Sequence, residues 1–365
     1  MQYYKLQDLC TDIVDCSHST PEWKTEGIRV VRNFNLKNGN IDFTDGYYVD
    51  EETYQNRIKR AVPEPDDIII SREAPMGVVG IVPKNLKCCL GQRLVLLKVD
   101  KSKCNPYYLL FMLMSDFVQT QFKRADATGS IVSNLCIPDL KEIVIPMVDE
   151  GQGDIARFLK AINNKMLINN EINDNLEQQM YLIFEDMMAK AVSHKLDGKY
   201  TIAKNLTSII TGKEDANFSV PNGKYKFFTC SNTPLLCNDY IFDTSSILIA
   251  GNGDFNVKHY SGKFNAYQRT YVLTPNKDYY ALVYLSSLYR INSFKSSSSG
   301  SIVKFITKGD VENIPVFIPN DTSYLHKLDK LIYLQEQITL ENELLVRLRD
   351  WLLPMLMNGQ ATISD

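Results

Sequence analysis

Apolar side chains recur every seven residues along two stretches of the chain. In the first stretch the two interleaved series are Ile155, Ile162, Asn169, Leu176, Ile183 and Leu159, Met166, Asn173, Met180, Met187. In the second stretch they are Leu331, Ile338, Leu345, Leu352 and Leu334, Glu341, Leu348, Met355. Paired series of this kind mark the a and d positions of a coiled coil. The pattern therefore predicts two long helices that pair with each other, with Asn169 and Asn173 fixing their register.

A second pattern is a repeat of two mixed segments. The sequence Gly-Ser-Ile-Val occurs at Gly129 and again at Gly300, each time leading into an apolar run that ends at proline. Upstream, strand-like and helix-like segments match in the same order. The matched pairs are 107–115 with 279–287, 92–97 with 268–273, 67–72 with 246–251, and 28–32 with 225–229. Chance similarity does not keep one order across five segments, so the chain is predicted to contain a duplicated unit.

Together the two patterns predict an α+β fold with four parts. Two pseudo-repeated mixed α/β domains occupy residues 1–150 and 196–320. Two long helices, expected to form an antiparallel coiled coil, occupy residues 151–195 and 321–365. At 1.5 Å per residue, a helix of about 30 residues spans about 45 Å. Two similar domains joined by such a spacer suit a ligand with two sites at a fixed separation, and successive major-groove faces of duplex DNA lie about 34 to 36 Å apart.

Composition narrows the range of possible protein classes only slightly. The 365 residues are 44% hydrophobic and 23% charged, with a net charge of −3, as in an ordinary globular protein. Residues 196–320 nevertheless carry 13 basic and 9 acidic side chains, which permits a local anion-binding face. Four histidines and eight cysteines without a Cys-x-x-Cys pair argue against a metal site and favour reduced thiols. The start of the chain shows no export signal and no apolar run is long enough to span a bilayer, so a cytoplasmic location is expected.

Further segments give the chain a family resemblance. The stretches Ile137–Pro146 and Gly151–Ala156 flank the predicted start of the first long helix, and Leu176–Gln179 and Met355–Gly359 lie towards the helix ends. In their order, duplication and spacing, these segments resemble the specificity subunit of type I restriction-modification systems, over essentially the whole chain. The chain is at the short end for that family, which leaves less loop in residues 196–320 for base contacts.

The resemblance implies a function and a set of partners. The two repeats would be target-recognition domains, each reading one half of a bipartite double-stranded DNA target, and the helices would set the spacing. Two methyltransferase subunits would dock on this chain, and the family allows a motor-nuclease subunit to join them. S-adenosylmethionine is expected on the methyltransferase, with no cofactor, metal or catalytic centre on this chain. An alternative from the residues alone is a coiled-coil adaptor whose two similar heads bind protein.

Motifs for catalysis give no support to a stand-alone enzyme. The nearest match to an adenine methyltransferase motif is Asn105-Pro106-Tyr107-Tyr108, which lacks the second proline and is better explained as the start of a helix. The chain contains no G-x-x-x-x-G-K-[ST] phosphate loop.

Several residue types suit contact with DNA. Arg29 and Arg32 are expected to share one face of a strand, and arginine and asparagine suit guanine and adenine edges. Gly-Ser pairs permit close approach to phosphate. The candidates are Arg29, Arg32, Asn33, Asn35, Arg72, Gln92, Arg93, Gly129 and Ser130 in the first repeat, and Lys226, Asn252, Gln268, Arg269, Gly300 and Ser301 in the second. Each also fits a purely structural role, and the sequence leaves open which loops make base contacts.

A docking surface for the partner is expected near the end of the first long helix. Apolar side chains occupy more than one face there, which is typical of an interaction site. The candidates are Met180, Tyr181, Phe184 and Met187. On this hypothesis, Phe184→Asp weakens subunit assembly.

Overall fold

The computed structural model describes residues 1–43, 46–73, 75–126, 134–221, 223–253, 255–297, 305–357, 359–361 and 363. The chain divides into two units. The first unit comprises Met1–Leu167 and Glu343–Asp365, and the second comprises Ile168–Asn342. Each unit combines β-sheets with helices and contains part of each of two long helices.

The first unit is built on a four-stranded sheet. Its strands are β1 Gln2–Lys5, β2 Cys10–Asp15, β3 Ile28–Val31, β4 Leu36–Lys37, β5 Asn40–Ile41, β6 Tyr48–Val49, β7 Ile68–Ser71, β8 Val79–Ile81, β9 Cys88–Leu90, β10 Leu94–Val99 and β11 Val144–Met147. Its helices are α1 Glu51–Arg57, α2 Pro106–Met114, α3 Asp116–Asp126 and α4 Ile137–Glu142, followed by the long α5, Gln152–Val192. The central sheet has the order β2-β10-β7-β8, and smaller sheets are β6-β3-β9, β1-β11 and β4-β5.

The second unit contains a six-stranded sheet. Its strands are β12 Gly198–Ile202, β13 Thr207–Thr211, β14 Tyr225–Phe228, β15 Leu235–Cys237, β16 Phe242–Ala250, β17 Val257–Ala266, β18 Thr270–Pro275 and β19 Pro315–Pro319. Its helices are α6 Tyr280–Ser297 and α7 Lys308–Glu312, followed by the long α8, Ser323–Met357. The sheet order is β13-β18-β16-β17-β14-β15, and β12 pairs with β19.

Strand register confirms the predicted duplication. Leu94 of β10 lies opposite Ser71 of β7, and Thr270 of β18 lies opposite Ala250 of β16. In each unit an early strand, β1 or β12, pairs with a late strand, β11 or β19. The parallel pair β3–β9 corresponds to the parallel pair β14–β17. The same scaffold therefore occurs twice, once in each unit.

The two copies differ in how their sheets are joined. The ten residues of β17 pair with both β16 and β14. In the first unit these pairings are divided between β8 and β9, with residues 82–87 between them. The second copy therefore forms one continuous sheet with a shorter connection, whereas the first forms two sheets.

The central strands are buried on both faces, which explains their nearly continuous apolar sequences. Ile68 packs in a core with α2, while Ile69 packs in a second core on the other face of the sheet. Ile247 and Leu248 divide in the same way in the second unit. Successive side chains of a strand point to opposite faces, so a strand with both faces covered needs apolar residues at every position.

The long helices pair in antiparallel fashion, as predicted. Within the second unit, Asn169 Nδ2 donates to Glu341 Oε2 at 2.7 Å, and Asn173 Nδ2 donates to Thr339 Oγ1 at 3.3 Å. Residue numbers on α8 fall as those on α5 rise, which is the signature of antiparallel helices. The predicted seam of α5 is correct, because eight of its ten positions are buried and Asn173 and Ile183 are half-buried.

The predicted seam of α8 is wrong by one residue. The buried Leu328, Ile332, Leu353 and Leu356 of α8 share one heptad frame with the buried Gln335 and Arg349, and Met357 is buried outside that frame. The assigned Leu334 and Leu348 are 38% and 40% exposed. The error has a physical cause: the true seam includes polar side chains that face α5, while leucines lie on the exposed side.

The expected docking surface on α5 is also wrong. Met180, Phe184 and Met187 are 0%, 3% and 0% exposed, and they pack in the core of the second unit. Tyr181 beside them is half-buried. These apolar side chains belong to a core that also contains Leu328 and Ile332 of α8, so three of the four cannot present a surface to a partner.

Replacing Phe184 is expected to destabilise the protein itself. Because the ring is buried and lies 6.2 Å from the ring of Tyr289, Phe184→Ala should lower the free energy of unfolding by about 3–5 kcal/mol. Leu182→Ala on the same helix is the control, since Leu182 is 63% exposed and its loss should cost less than about 0.5 kcal/mol. Urea unfolding of the full chain measures both, and equal losses would contradict the assignment of Phe184 to the core.

Candidate nucleic-acid interface

Three of the predicted DNA-contact residues meet at one end of the central sheet of the first unit. The amide of Arg72 donates to the carbonyl of Arg93 at 2.8 Å, and Gln92 precedes Arg93 directly. The amide of Leu135 donates to the carbonyl of Arg72 at 3.0 Å. The loops after β7, before β10 and before α4 are thus held together; we refer to this group as the strand-end cluster.

The second unit repeats the strand-end cluster. There the amide of Gly251 donates to the carbonyl of Arg269 at 2.9 Å, and the amide of Ile306 donates to the carbonyl of Gly251 at 2.9 Å. Asn252 and Gln268 adjoin these residues in sequence. The candidates of the two repeats therefore occupy equivalent positions in the fold. Gly129, Ser130, Gly300 and Ser301 lie outside the described residues.

Arg72 is committed to contacts within the chain. Its Nη1 donates to both carboxylate oxygens of Asp15 at 3.0 and 3.1 Å, and its Nε donates to the carbonyl of Leu135 at 3.0 Å. Its Nη2 donates to Asn134 Oδ1 at 3.3 Å. The side chain is only 12% exposed. Arg72 therefore secures the loop before α4 and is poorly placed to contact DNA.

The duplicated glutamines have matching structural contacts. Gln92 Nε2 donates to the carbonyl of His18, in the loop after β2. Gln268 Nε2 donates to Asp215 Oδ1 at 2.7 Å, in the loop after β13. The side chain at this position thus holds the same loop in both repeats.

Two arginines that sequence reasoning missed secure the loop after β2. Arg57 donates to the carbonyls of Ser17, Ser19 and Leu90, and Arg60 donates to the carbonyls of Asp15 and Cys16. These contacts are to distant main-chain atoms, which leave no signal in the sequence.

The side chains of Arg29, on β3, and Arg32, directly after it, lie over different aromatic rings, contrary to the expectation that they share one face. The Arg29 guanidinium lies over Phe43, 4.8 Å from the ring centroid. The Arg32 guanidinium lies over Tyr47 at 4.6 Å and Phe34 at 5.0 Å. Residues three apart in an extended chain point to opposite sides, which explains why the two side chains do not share a face.

Around Arg32 the first unit carries an aromatic cluster that sequence reasoning did not identify. Trp23 packs edge-on against Tyr47 with ring centroids 4.7 Å apart, and Arg32 lies 5.5 Å from the Trp23 ring. Phe34 is 37% exposed. Aromatic rings beside an arginine are typical of surfaces on which nucleic acid bases stack.

Of the two asparagines after β3, Asn35 is structural. It is 2% exposed, its Oδ1 accepts from the amide of Arg32 at 2.9 Å, and its Nδ2 donates to the carbonyl of Asp42 at 2.7 Å. This buried side chain closes the turn and cannot reach a base. Asn33 is half-buried.

The second unit has a lysine where the first has Arg29. The parallel register places Lys226 at the position of Arg29, and its ammonium lies 4.7 Å from the centroid of the Tyr260 ring. Nearby, Lys263 lies 4.7 Å from the Tyr240 ring, and its hydrogen bond to Tyr240 raises the pKa of the ammonium group. Lys226 and Lys263 offer positive charge beside the half-buried Tyr260 and the exposed Tyr240, which suits phosphate and sugar contacts.

The candidate motifs for other chemistry have structural explanations. Asn105 Oδ1 accepts from the amides of Tyr107 at 2.9 Å and Tyr108 at 3.3 Å, so Asn105-Pro106 caps α2, as predicted.

All eight cysteines are unpaired, and burial raises the pKa of the Cys16 thiol beside the strand-end cluster. Among the described residues, no group of three or more His, Cys, Asp and Glu side chains is placed to hold a metal ion. Within the same part of the chain, no helix is both long and apolar enough to cross a membrane.

Comparisons with known proteins agree with this architecture. The family model "Type I restriction modification DNA specificity domain" matches residues 2–178 and again residues 198–346. The type I restriction enzyme EcoDI specificity subunit of Escherichia coli is 38% identical over 174 residues, which are 46% of this chain and 39% of that protein. The putative type I restriction enzyme MjaX specificity subunit of Methanocaldococcus jannaschii is 27% identical over 153 residues, which are 40% and 35% of the two chains. The matches thus span less than half the length of these relatives.

A solved structure shares the fold. The crystal structure of a type I restriction-modification system S subunit from M. genitalium superposes with a TM-score of 0.52 at 17% sequence identity. The match covers 96% of this chain and 94% of that one. At this identity the likeness establishes the fold alone.

Proposed function

The chain belongs to the family of type I restriction-modification DNA specificity domains, and we propose that its two repeated units each read one half of a bipartite duplex DNA target. The observation that carries the proposal is the duplicated strand-end cluster, which has equivalent main-chain contacts but different side chains in the two units. Equivalent scaffolds suit one kind of ligand, and different side chains suit two different half-site sequences.

Two positions support a shared mode of contact with DNA. Arg29 and Lys226 are equivalent by register and each lies on an aromatic ring, while Arg93 and Arg269 are equivalent within the strand-end clusters and both are exposed. The cation shared by Arg29 and Lys226 suits the phosphate backbone, which is the same in every sequence. Side chains that differ between the repeats, including those around Arg32, are the better candidates for base discrimination.

The long helices are proposed to set the distance between the two half-sites. Their seam contains polar pairs, Asn169 with Glu341 and Asn342, and Asn173 with Thr339. A polar residue at a seam position reduces stability but specifies register, because a shifted pairing would leave it buried without a partner. A fixed register suits a spacer whose length matters.

Docking of a methyltransferase subunit is proposed on the exposed side of α8. Leu344, Leu348 and Trp351 are 55%, 40% and 60% exposed and lie on one face of the helix by their spacing. An apolar stripe of this kind is suited to pack against a helix of another chain.

In the proposed complex this chain has no catalytic centre, and S-adenosylmethionine binds to the methyltransferase. Two methyltransferase subunits assemble on one chain, and a motor-nuclease subunit can join them.

The function is tested with the purified chain, alone and with the methyltransferase subunit of its own system. We expect no methyl transfer from S-adenosylmethionine to duplex DNA by the chain alone, and transfer to a bipartite site by the complex. Binding of the complex to DNA should weaken steeply with salt, because phosphate contacts release counterions. Methyl transfer by the isolated chain would contradict a non-catalytic role, and a partner complex without DNA affinity would favour the protein-binding adaptor.

The docking proposal is tested by Trp351→Asp. A charge in the apolar stripe should reduce co-purification with the methyltransferase at least about 10-fold, because central aromatic residues dominate binding energy at interfaces. Tyr200→Asp is the matched control, since Tyr200 is a 56% exposed aromatic residue on β12 of the second unit, whereas the stripe belongs to the first. Unchanged co-purification of a folded Trp351→Asp protein would remove the stripe from the interface.

A further inference from the structure

Arg93 and Arg269 occupy the same place in the two repeats but have different neighbours. Each carbonyl accepts the amide of the residue that follows β7 or β16, which is Arg72 in the first unit and Gly251 in the second. The next residue in each unit is Glu73 or Asn252. A carboxylate therefore stands near the arginine of the first repeat, where the second repeat has a neutral amide.

The carboxylate forms an ion pair with Arg93. Glu73 Oε2 lies 3.2 Å from Arg93 Nε, and the two side chains are 24% and 54% exposed. The terminal nitrogens of Arg93 make no hydrogen bond with the described part of the chain, and the side chain is more than half exposed. Arg269 is also exposed, but no carboxylate among the described residues pairs with it.

The backbone at the two arginines also differs. Arg93 has a φ of 65°, in the left-handed region that is uncommon for residues other than glycine. The following amide, of Leu94, donates to the buried Sγ of Cys16 at 3.3 Å, which holds this conformation. Arg269 does not share the positive φ. In the second repeat the amide after Arg269, of Thr270, donates to the carbonyl of Tyr267 at 2.8 Å, so the main chain is held in both repeats. Among the described residues, the ion pair at Nε is present only in the first repeat.

Fixation of this kind changes what an arginine can recognise. A guanidinium held at Nε presents its terminal donors in one direction, and two such donors match the O6 and N7 acceptors of guanine. Holding the side chain in place beforehand reduces the conformational freedom that binding must remove. An unheld arginine follows any nearby negative charge and is suited to phosphate, which carries no sequence information.

We propose that Glu73 is a specificity-determining positioning residue, which orients Arg93 to read a guanine in the half-site of the first repeat, while Arg269 contacts a backbone phosphate in the second. The inference rests on the proposed function, since it requires that the strand-end clusters face DNA. It assigns unequal roles to two arginines that the sequence repeat makes look alike.

The test uses the full chain in complex with its methyltransferase and a randomised duplex library from which bound DNA is sequenced. The wild-type complex should select guanine at one position of the first half-site. Glu73→Asn, which copies the second repeat, should relax that preference about 10-fold and leave the second half-site unchanged. Glu51→Gln is the matched control, because it removes another exposed pair of the same unit, Glu51 with Lys87 at 2.9 Å, and should change neither half-site.

Arg93 variants separate positioning from a merely structural effect. Arg93→Lys keeps the charge but not the paired donors, so it should relax the same position, and Glu73→Asn should add nothing to it. If Glu73→Asn leaves every base preference intact, or if Arg93→Lys weakens all sequences equally, Arg93 is a phosphate contact and the inference is overturned. Absence of any selected sequence with the wild-type complex would instead count against the proposed function.

Discussion

One small set of main-chain hydrogen bonds organises the candidate interface in both units. In the first unit, the amide of Arg72 donates to the carbonyl of Arg93, and the carbonyl of Arg72 accepts from the amide of Leu135. In the second unit, Gly251, Arg269 and Ile306 make the same contacts, and all four distances lie between 2.8 and 3.0 Å. Main-chain contacts place few demands on side chains, so the scaffold can persist while the sequence at its surface diverges. The proposed recognition of DNA depends on this separation of the main-chain scaffold from the side chains it carries, because it keeps two different sets of side chains in equivalent positions.

The same separation explains why the two repeats differ in chemistry. In the first unit, Arg72 and Asp15 form a charged pair that supports the strand end, whereas the second has Gly251 and Thr211 at these positions. The first unit combines arginine with tryptophan and tyrosine, and the second combines lysine with tyrosine. Two half-sites of different sequence require different side chains for base recognition. The phosphate backbone is common to both half-sites, which fits the cations at equivalent positions.

Sequence reasoning succeeded where the signal was periodic or duplicated. The heptads located α5 and its seam, and the ordered repeat of segments predicted the duplicated scaffold. It failed where polar residues contribute to packing between the helices. Gln335, Thr339 and Asn342 belong to the α8 seam, and the frame that was assigned from the leucines is therefore wrong. It also could not distinguish a buried from an exposed arginine. Arg72 and Arg93 look alike in sequence, yet only tertiary contacts, which bring Asp15 to one and Glu73 to the other, decide their roles.

The central claim is a division of labour in which the units read sequence and the helices set spacing. Its most direct test inserts four residues into α5 between Asn170 and Glu171 and four into α8 between Leu340 and Glu341, followed by mapping of methylated sites in cells that carry the complex. Four residues add about 6 Å of helix, and base pairs are about 3.4 Å apart. The account predicts the same two half-sites separated by one or two more base pairs. Altered half-sites at an unchanged separation would contradict it.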